Sequence, residues 1–278
     1  MAYKTVALAL VTEGKSAPDS AIGLAVDLAR RHAAHLAVGI GVPPLIIPVD
    51  GASIGMVATY EEENATLRKQ SDALAERIRN DAMRAGVAIS VAISSQAYRP
   101  FSLELARLAR LSDVCVVAMP DAESVHGIDT LLDLLMTSGA PLLVAPANWS
   151  QTGGVGKAIV AWDESASAAR AVRGALPLLT EAQSVEVVCV TGEKVMPSVA
   201  PGADLAQYLS RHCRKVTENE IPLENADVAA TLRQHASLTR ADLLVLGGYG
   251  HSRFREFVLG GVTRSMLRDI AIPTLMAH

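Results

Sequence analysis

The chain has few aromatic residues and few cysteines, and both shortages narrow its class. Aromatic residues make up 4% of its 278 positions, whereas hydrophobic residues make up 50%. The interior must therefore be built mainly from Ala, Val, Leu and Ile, as in α/β folds with buried parallel strands. The three cysteines, Cys115, Cys189 and Cys213, form no Cys-x-x-Cys pair. We expect neither a disulfide framework nor a cysteine metal or redox site.

Clusters of positive charge and long apolar runs are also missing. The net charge of −4 and the lack of a Lys/Arg cluster give no electrostatic case for binding nucleic acid. No apolar run approaches the roughly 20 residues of a transmembrane helix. The short apolar run at 6–11 continues into Thr12 and Glu13 without a small-residue cleavage site, which favours a first strand over a signal sequence. We expect a cytoplasmic protein with no membrane or nucleic-acid partner.

Internal repetition sets the predicted architecture. Residues 112–118 align with 241–247, and residues 140–146 align with 272–278. Near the two starts, 4–8 aligns with 157–161, and the segment 149–156 between them is typical of a linker. Because 278 residues favour two domains of ordinary size, we predict one domain at 1–152 and a second at 153–278.

Strands alternate with helices in both predicted domains. In the first we predict strands near 4–11, 36–42, 87–94, 113–118 and 141–145, and helices near 18–34, 60–85, 101–111 and 126–138. In the second we predict strands near 157–162, 184–190, 214–221, 242–247 and 273–277, and helices near 165–180, 203–213, 226–239 and 261–269. This order predicts an α/β fold of two tandem Rossmann-like domains, each a five-stranded parallel sheet with helices on both faces. Ligands bind such sheets beyond the carboxyl ends of the strands, where strand order reverses.

A glycine-rich segment follows the strand predicted at 242–247. It contains Gly247, Gly250 and the pair Gly260-Gly261, and the last pair stands where a helix is predicted to begin. Glycine allows a sharp turn and lets a ligand approach where a side chain would collide. The free amides of a first helical turn, together with the helix dipole, bind phosphate. The segment therefore predicts a nucleotide-phosphate site.

This Gly-x2-Gly-x9-Gly spacing, together with Asp163 at the end of an earlier strand, resembles the ATP-binding signature of the universal stress protein family. The resemblance extends over both halves, but the motif occurs only in the second. It implies ATP, with or without Mg²⁺, as the ligand. In nucleotide-binding members the final glycine is usually followed by Ser or Thr, whereas this chain has Gly261. The amides of Gly261 and Val262, with Thr263 close by, are the expected substitutes.

The resemblance also implies roles for residues of the predicted site. It implies that Asp163 lies beside the adenosine portion and that apolar residues at strand ends enclose the adenine. The complete predicted set is Ala161, Asp163, Val190, Leu246, Gly247, Gly250, His251, Arg253, Gly260, Gly261, Val262 and Thr263. Each has a simpler alternative: the glycines could permit tight packing, Asp163 could cap a helix, the apolar residues could be core, and the two basic residues could be solvated.

The first half lacks these features when the halves are aligned by sequence. Leu10 stands opposite Asp163, Ala118 opposite Gly247 and Asp121 opposite Gly250. A carboxylate at Asp121 would repel phosphate, and the stiff turn at 119–120 offers no open amides. We expect at most one nucleotide per chain, with the first half as its folded partner.

Another glycine string, 153–157, ends in lysine like a Walker loop. Its first glycine and its magnesium-binding Ser/Thr are missing, and a strand is predicted to follow, so we interpret it as a linker. The apolar segment 43–57 has no counterpart in the second half. We expect it to pack between the domains, over the first pocket, or against a second chain.

The expected function is a regulatory or protective stress-response protein that binds ATP. An enzyme is less favoured, because no general base is evident near the expected γ-phosphate, and at most weak ATP hydrolysis or self-phosphorylation is anticipated. The alternative is a nucleotide-free interaction module of the same fold. The family resemblance further implies association through the last strands, 142–145 and 274–277, and a homodimer.

Overall fold

The structure, a computed structural model, describes residues 2–13, 18–43, 57–94, 101–120, 124–150, 153–192, 200–248, 265–267 and 270–278. The strands are β1 Thr5–Val11, β2 His35–Gly41, β3 Ile89–Ser94, β4 Val114–Ala118, β5 Leu142–Ala145, β6 Lys157–Ala161, β7 Ser184–Thr191, β8 Val216–Pro222, β9 Leu243–Gly247 and β10 Thr274–Ala277. The helices are α1 Asp19–His32, α2 Val57–Arg84, α3 Phe101–Arg110, α4 Gly127–Thr137, α5 Ala166–Glu181, α6 Pro201–Ser210 and α7 Val228–Thr239.

These strands form one sheet in the order β3-β2-β1-β4-β5-β10-β9-β6-β7-β8. Every neighbouring pair within a half is parallel, and the halves meet through the antiparallel pair of β5 and β10. Central strands are continuous apolar runs with both faces buried, as parallel strands between two helix layers must be. The predicted α/β fold is confirmed, with two five-stranded parallel sheets fused into one.

Each face of the sheet carries its own apolar core, and each core runs through both halves. One joins strand side chains to α1, α2, α5 and α6, and the other joins them to α3, α4 and α7. The two halves therefore share their interior across the seam between β5 and β10. None of the described helices is long and apolar enough to cross a membrane.

An aspartate immediately before the fourth strand of each half fixes how the halves correspond. Asp113 Oδ2 accepts a hydrogen bond from the amide of Thr5 (2.9 Å) and one from the residue before it. Asp242 Oδ2 accepts one from the amide of Lys157 (2.8 Å) and one from the residue before it. Thr5 is therefore equivalent to Lys157, and we call this paired contact the aspartate clamp.

The aspartate clamp corrects the alignment made from sequence by one residue. The counterpart of Asp163 is Val11, not Leu10, and the strand pairings agree, because Val6 pairs with β4 as Ala158 pairs with β9. Matching the lysines at 4 and 157 produced the error, since a shared side chain near a strand end carries no information about register. Val11 has no carboxylate either, so the first half still lacks an equivalent of Asp163.

The last strands of the two halves associate as the family resemblance implied, but within one chain. Leu143 of β5 lies opposite Leu275 of β10, and each strand is paired on its other side within its own half. Both edges of both strands are thus used internally. The homodimer stays a prediction, and it would need a different surface. Of the apolar segment at 43–57, residues 44–56 lie outside the described residues.

Candidate functional site

The strand order of the second half reverses between β6 and β9, and the predicted apolar site residues lie at this edge. β6 pairs with β7 on one side and with β9 on the other. Ala161 ends β6 and lies opposite Val188, so Val190 projects on the same face two residues further along β7. Leu246 lies near the end of β9 on the same face. The structure therefore brings these three residues together at the carboxyl edge of the sheet.

These residues form an apolar wall that sequence reasoning described only in part. Leu246 is buried, whereas Ala161 and Val190 are half-buried and pack against the same core. Two further residues belong to this surface: Ile221, which pairs with Val190, and Val228, the first residue of α7. We call these five residues the apolar wall. The end of the predicted strand at 214–221 was the sequence signal for Ile221.

Asp163 lies in the short turn between β6 and α5. Its Oδ1 accepts a hydrogen bond from the amide of Ser165 at 3.0 Å. The cap of α5 is Ser165, whose Oγ accepts from the amide of Ala168 at 3.1 Å. The simpler reading of Asp163 as the helix cap is therefore wrong, because α5 begins at 166. Glu164, which lies between Asp163 and Ser165, has a φ of +59°, a left-handed conformation that few residues with a side chain adopt.

Gly247 ends β9 directly against the first turn of α5. A Cβ at this position would lie 2.6 Å from the amide nitrogen of Ala168 and 2.7 Å from Ser167 Oγ. Backbone atoms cannot move aside as a flexible side chain can, so a glycine is required here. The simpler reading of Gly247, tight packing between strand and helix, is confirmed.

The other predicted site residues lie outside the described residues. They are Gly250, His251, Arg253, Gly260, Gly261, Val262 and Thr263. Of the helix predicted at 261–269, the structure describes 265–267. This short piece is held against α7, since Arg233 Nη1 donates to the carbonyl of Ser265 at 2.7 Å.

Asp227 anchors the same piece and was not singled out from the sequence. Its Oδ1 accepts from the amide of Ala230 (3.1 Å), capping α7, and its Oδ2 accepts from the hydroxyl of Ser265 (2.9 Å). Burial alone would raise the pKa of Asp227, but these hydrogen bonds outweigh it and hold the pKa below its ordinary value. The position of an aspartate at the start of the predicted helix 226–239 was the available signal.

The described part of this edge carries negative charge. Burial, together with the smaller effect of the charges of Glu218, Glu220, Glu164 and Asp163, raises the pKa of the Cys189 thiol to about 11. Four carboxylates thus act on the end of β7. A bound phosphate would need backbone amides, a metal ion or basic side chains to offset them. Among the described residues, no three His, Cys, Asp or Glu side chains are placed to hold a metal ion.

The lysine of the Walker-like string 153–157 forms an ion pair with a buried glutamate. Lys157 opens β6, and its Nζ lies 2.6 Å from Glu186 Oε2. Glu186 is buried, and its Oε1 is also bonded to Asn219 and to His235, both at 3.0 Å. Since the string leads into a strand and its lysine is paired with a buried carboxylate, it is not a Walker loop; its role as a linker stays a prediction.

The equivalent edge of the first half is built differently. Gly41 corresponds to Val190, and a Cβ there would lie 2.5 Å from the ring of Phe101, which covers the end of β2. At the start of α4, the carboxylate of Glu13 accepts from the amides of Val125 (3.1 Å) and His126 (2.7 Å). The turn at 119–120 offers no open amides, as predicted, because the amide of Met119 donates to the carbonyl of Ala145 and Pro120 has no N–H. The amides at 125 and 126 were not singled out from the sequence, and a carboxylate of the chain itself occupies them.

Comparisons with known proteins agree with this architecture. A family model described as the universal stress protein family matches residues 154–278. A universal stress protein from Archaeoglobus fulgidus is similar in fold over 98% of this chain and 97% of its own, with 13% identity and a TM-score of 0.70. A putative universal stress protein from Pseudomonas aeruginosa matches over 99% and 93% of the two chains, with 13% identity and a TM-score of 0.54.

A protein of unknown function from Pseudomonas aeruginosa matches over 99% of this chain and 92% of its own, with 11% identity and a TM-score of 0.56. At such identities the likeness establishes the fold alone. A search of curated protein sequences gave no match. Residues 154–278 therefore form a domain that matches the model of the universal stress protein family.

Proposed function

We propose that the second half binds ATP at the carboxyl edge of β6, β7 and β9, and that the chain acts as a regulatory or protective protein in the stress response. In this proposal residues 153–278 are the nucleotide-binding domain and residues 1–152 its degenerate partner. Bound nucleotide would bias conformation or partner binding without being consumed.

The observation that carries the proposal is the meeting of the apolar wall with Asp163 at the point where strand order reverses. Such a point is where open α/β sheets bind their ligands. The half-buried members of the wall, Ala161 and Val190, offer apolar surface to a flat base. Asp163 stands beside them with one oxygen held by Ser165, so its carboxylate has a fixed position from which to accept ribose hydroxyl groups.

The phosphate end of the proposal rests on residues 250–263 and has support from the other half. There, the two amides directly before α4, those of Val125 and His126, already bind a carboxylate, that of Glu13. By the correspondence of β5 with β10, α4 is equivalent to the helix predicted at 261–269. This part of the fold is therefore suited to present amides to an anion. In the second half we propose that phosphate takes that place.

Charge dictates what must accompany the phosphates. Asp163 and Glu164 directly follow β6, so the phosphates would arrive beside two carboxylates. We propose that Mg²⁺, His251 and Arg253 offset their charge. Affinity should therefore fall when Mg²⁺ is removed, and fall more for ATP than for AMP because ATP carries more charge.

Calorimetry on the full chain with ATP tests the proposal. Gly250→Val should lower affinity at least about tenfold, because a side chain in the loop blocks approach of the phosphates. Gly154→Val is the matched control, since nothing lies within 4 Å of the position where its Cβ would start. Equal affinity in a folded Gly250→Val protein would place the nucleotide elsewhere. Failure of the unaltered chain to bind ATP with Mg²⁺ would leave the nucleotide-free interaction module.

A second pair of variants tests independently whether the apolar wall contacts the adenine base. Val190→Asp puts a charge into the apolar wall and should weaken ATP at least about tenfold. Thr191→Asp adds the same charge one residue later, at an exposed position on the opposite face of β7, and should change affinity less than about threefold. Equal losses in the two variants would mean that the wall does not contact the base.

A further inference from the structure

The first half contains a cavity of about 240 Å³ at the carboxyl ends of β1 and β4, where its own strand order reverses. Most of the lining is apolar, contributed by side chains of both strands and of α4. These include Leu10, Val117, Met119, Leu131 and Leu134. Four polar side chains complete the lining: Thr12, Glu13, Ser124 and Thr130. A largely apolar cavity with a few converging polar groups is the usual form of a small-molecule site.

Glu13 decides the electrostatics of this cavity. Its two carboxylate oxygens each accept one backbone hydrogen bond, from Val125 and from His126, which fixes the group at the start of α4. The next amide, that of Gly127, donates to Ser124 Oγ at 2.9 Å. The amides that could have received a phosphate are thus already bonded, and the group that occupies them is an anion.

The size of the cavity limits its occupant as well. About 240 Å³ is below the 300–1,000 Å³ typical of sites for drug-sized ligands, so the space suits a body no larger than a nucleoside. The carboxylate attracts hydrogen-bond donors and repels phosphate, because like charges interact strongly where water is partly excluded. The Thr130 side chain, almost fully buried, adds a hydroxyl at the wall.

We propose that this cavity is a second ligand site of the chain, which takes a small uncharged molecule with an N–H or O–H donor directed at Glu13. Glu13 is its specificity-determining residue, because it holds the anion position and excludes phosphate esters. The inference does not depend on nucleotide binding in the second half, since every residue that carries it lies between 9 and 147.

The test uses the full chain with adenosine and AMP as probes that differ by one phosphate. Nuclear magnetic resonance follows the amides of 125–127 and the methyl groups of Leu131 and Leu134, which report on the first half alone. Adenosine should shift these signals saturably, and AMP should bind at least about tenfold more weakly because of its charge. Equal affinities for the two probes, or no shift with adenosine, would overturn the proposal.

Two variants that each remove one negative charge distinguish a specific effect of Glu13 from the effect of the net charge of the protein. Glu13→Gln keeps the length of the side chain and removes its charge, so AMP should come within about threefold of adenosine. Asp129→Asn removes the same charge from the first turn of α4 at an exposed position outside the cavity. It should leave the ratio of the two affinities unchanged. An unchanged ratio in folded Glu13→Gln would show that Glu13 does not select.

Calorimetry with ATP on the same proteins keeps the two proposals apart. ATP binding by the second half should be equal in the unaltered chain and in Glu13→Gln at low ATP concentration. If adenosine causes no shift of the amides of 125–127 in the unaltered chain while ATP still binds, the first-half site alone is refuted. The reverse result would refute only the nucleotide site of the second half.

Discussion

The two halves of this chain share a scaffold and differ where their strands end. Both have the same strand order, and both place an aspartate clamp before the fourth strand. At the carboxyl edge the first half has Phe101 over Gly41, whereas the second half has the half-buried Val190. The two halves thus share the contacts that hold their strands in register and differ in the residues at the carboxyl ends of those strands.

The two halves also show that a glycine at a strand end can be required by helix packing as well as by a ligand. Gly247 and its counterpart Ala118 occupy the same strand end, yet only the first is forced to lack a Cβ by the approach of α5. In the first half α1 begins at Asp19, after a longer connection from β1 than the one that leads to α5. A motif glycine can therefore record how a helix docks, independently of any ligand.

The largest predicted effect is a loss of stability at this strand end, which should differ between the two halves. Gly247→Val should lower the free energy of unfolding by about 3 kcal/mol or more, because its Cβ would collide with the backbone of α5. The reverse change, Ala118→Gly, should cost only about 1 kcal/mol. Chemical denaturation measures both. Similar small losses would mean that α5 can move away from β9.

The next effect tests whether the aspartate clamps are equivalent. Asp113→Ala and Asp242→Ala each remove an acceptor for two backbone amides and should each cost about 2 to 3 kcal/mol. Because the two contacts have the same geometry, their costs should agree within about 1 kcal/mol. A much larger loss at one clamp, measured by the same denaturation, would show that the halves are unequal as scaffolds.

A third effect depends on pH and belongs to Glu186, whose counterpart in the first half is Ala37. Burial would raise the pKa of Glu186, but hydrogen bonds from Lys157, Asn219 and His235 hold the pKa below its ordinary value of 4.5. A carboxyl group with a lowered folded pKa stabilises above its unfolded pKa. This stabilisation is lost as the pH falls through the folded value.

Glu186→Gln should therefore cost about 1 to 2 kcal/mol near neutral pH. The difference from the unaltered chain should shrink once the pH is brought below about 4.5, the ordinary pKa of the group. Denaturation curves recorded over this pH range decide it. A difference independent of pH would assign the loss to packing instead of charge.

The smallest predicted effect lies at the joint between the halves. Tyr3 donates its hydroxyl to the carbonyl of Gly174 in α5 at 2.7 Å, whereas the equivalent residue of the second half, Val155, has no hydroxyl to donate. Tyr3→Phe should cost about 1 kcal/mol and leave ATP binding unchanged. A change in ATP affinity beyond about threefold would indicate that the joint communicates with the second-half site.

The fold was predictable because strands such as β1 and β9 are unbroken apolar runs closed by turn residues. The association of the last strands was also predictable, but no local pattern says whether the partner strand belongs to the same chain. Glu13 escaped prediction because the amides that it binds are 112 and 113 positions away. The alignment error at Leu10 arose because side-chain identity does not encode strand register.

The seam between β5 and β10 has a consequence for how such a chain can change. In a dimer of identical subunits, one substitution appears in both copies, so a gain at one site and a cost at the other are inseparable. Here a single polypeptide supplies both sides of the seam. Each half can therefore acquire or lose a ligand alone, while the continuous sheet keeps the other half in place.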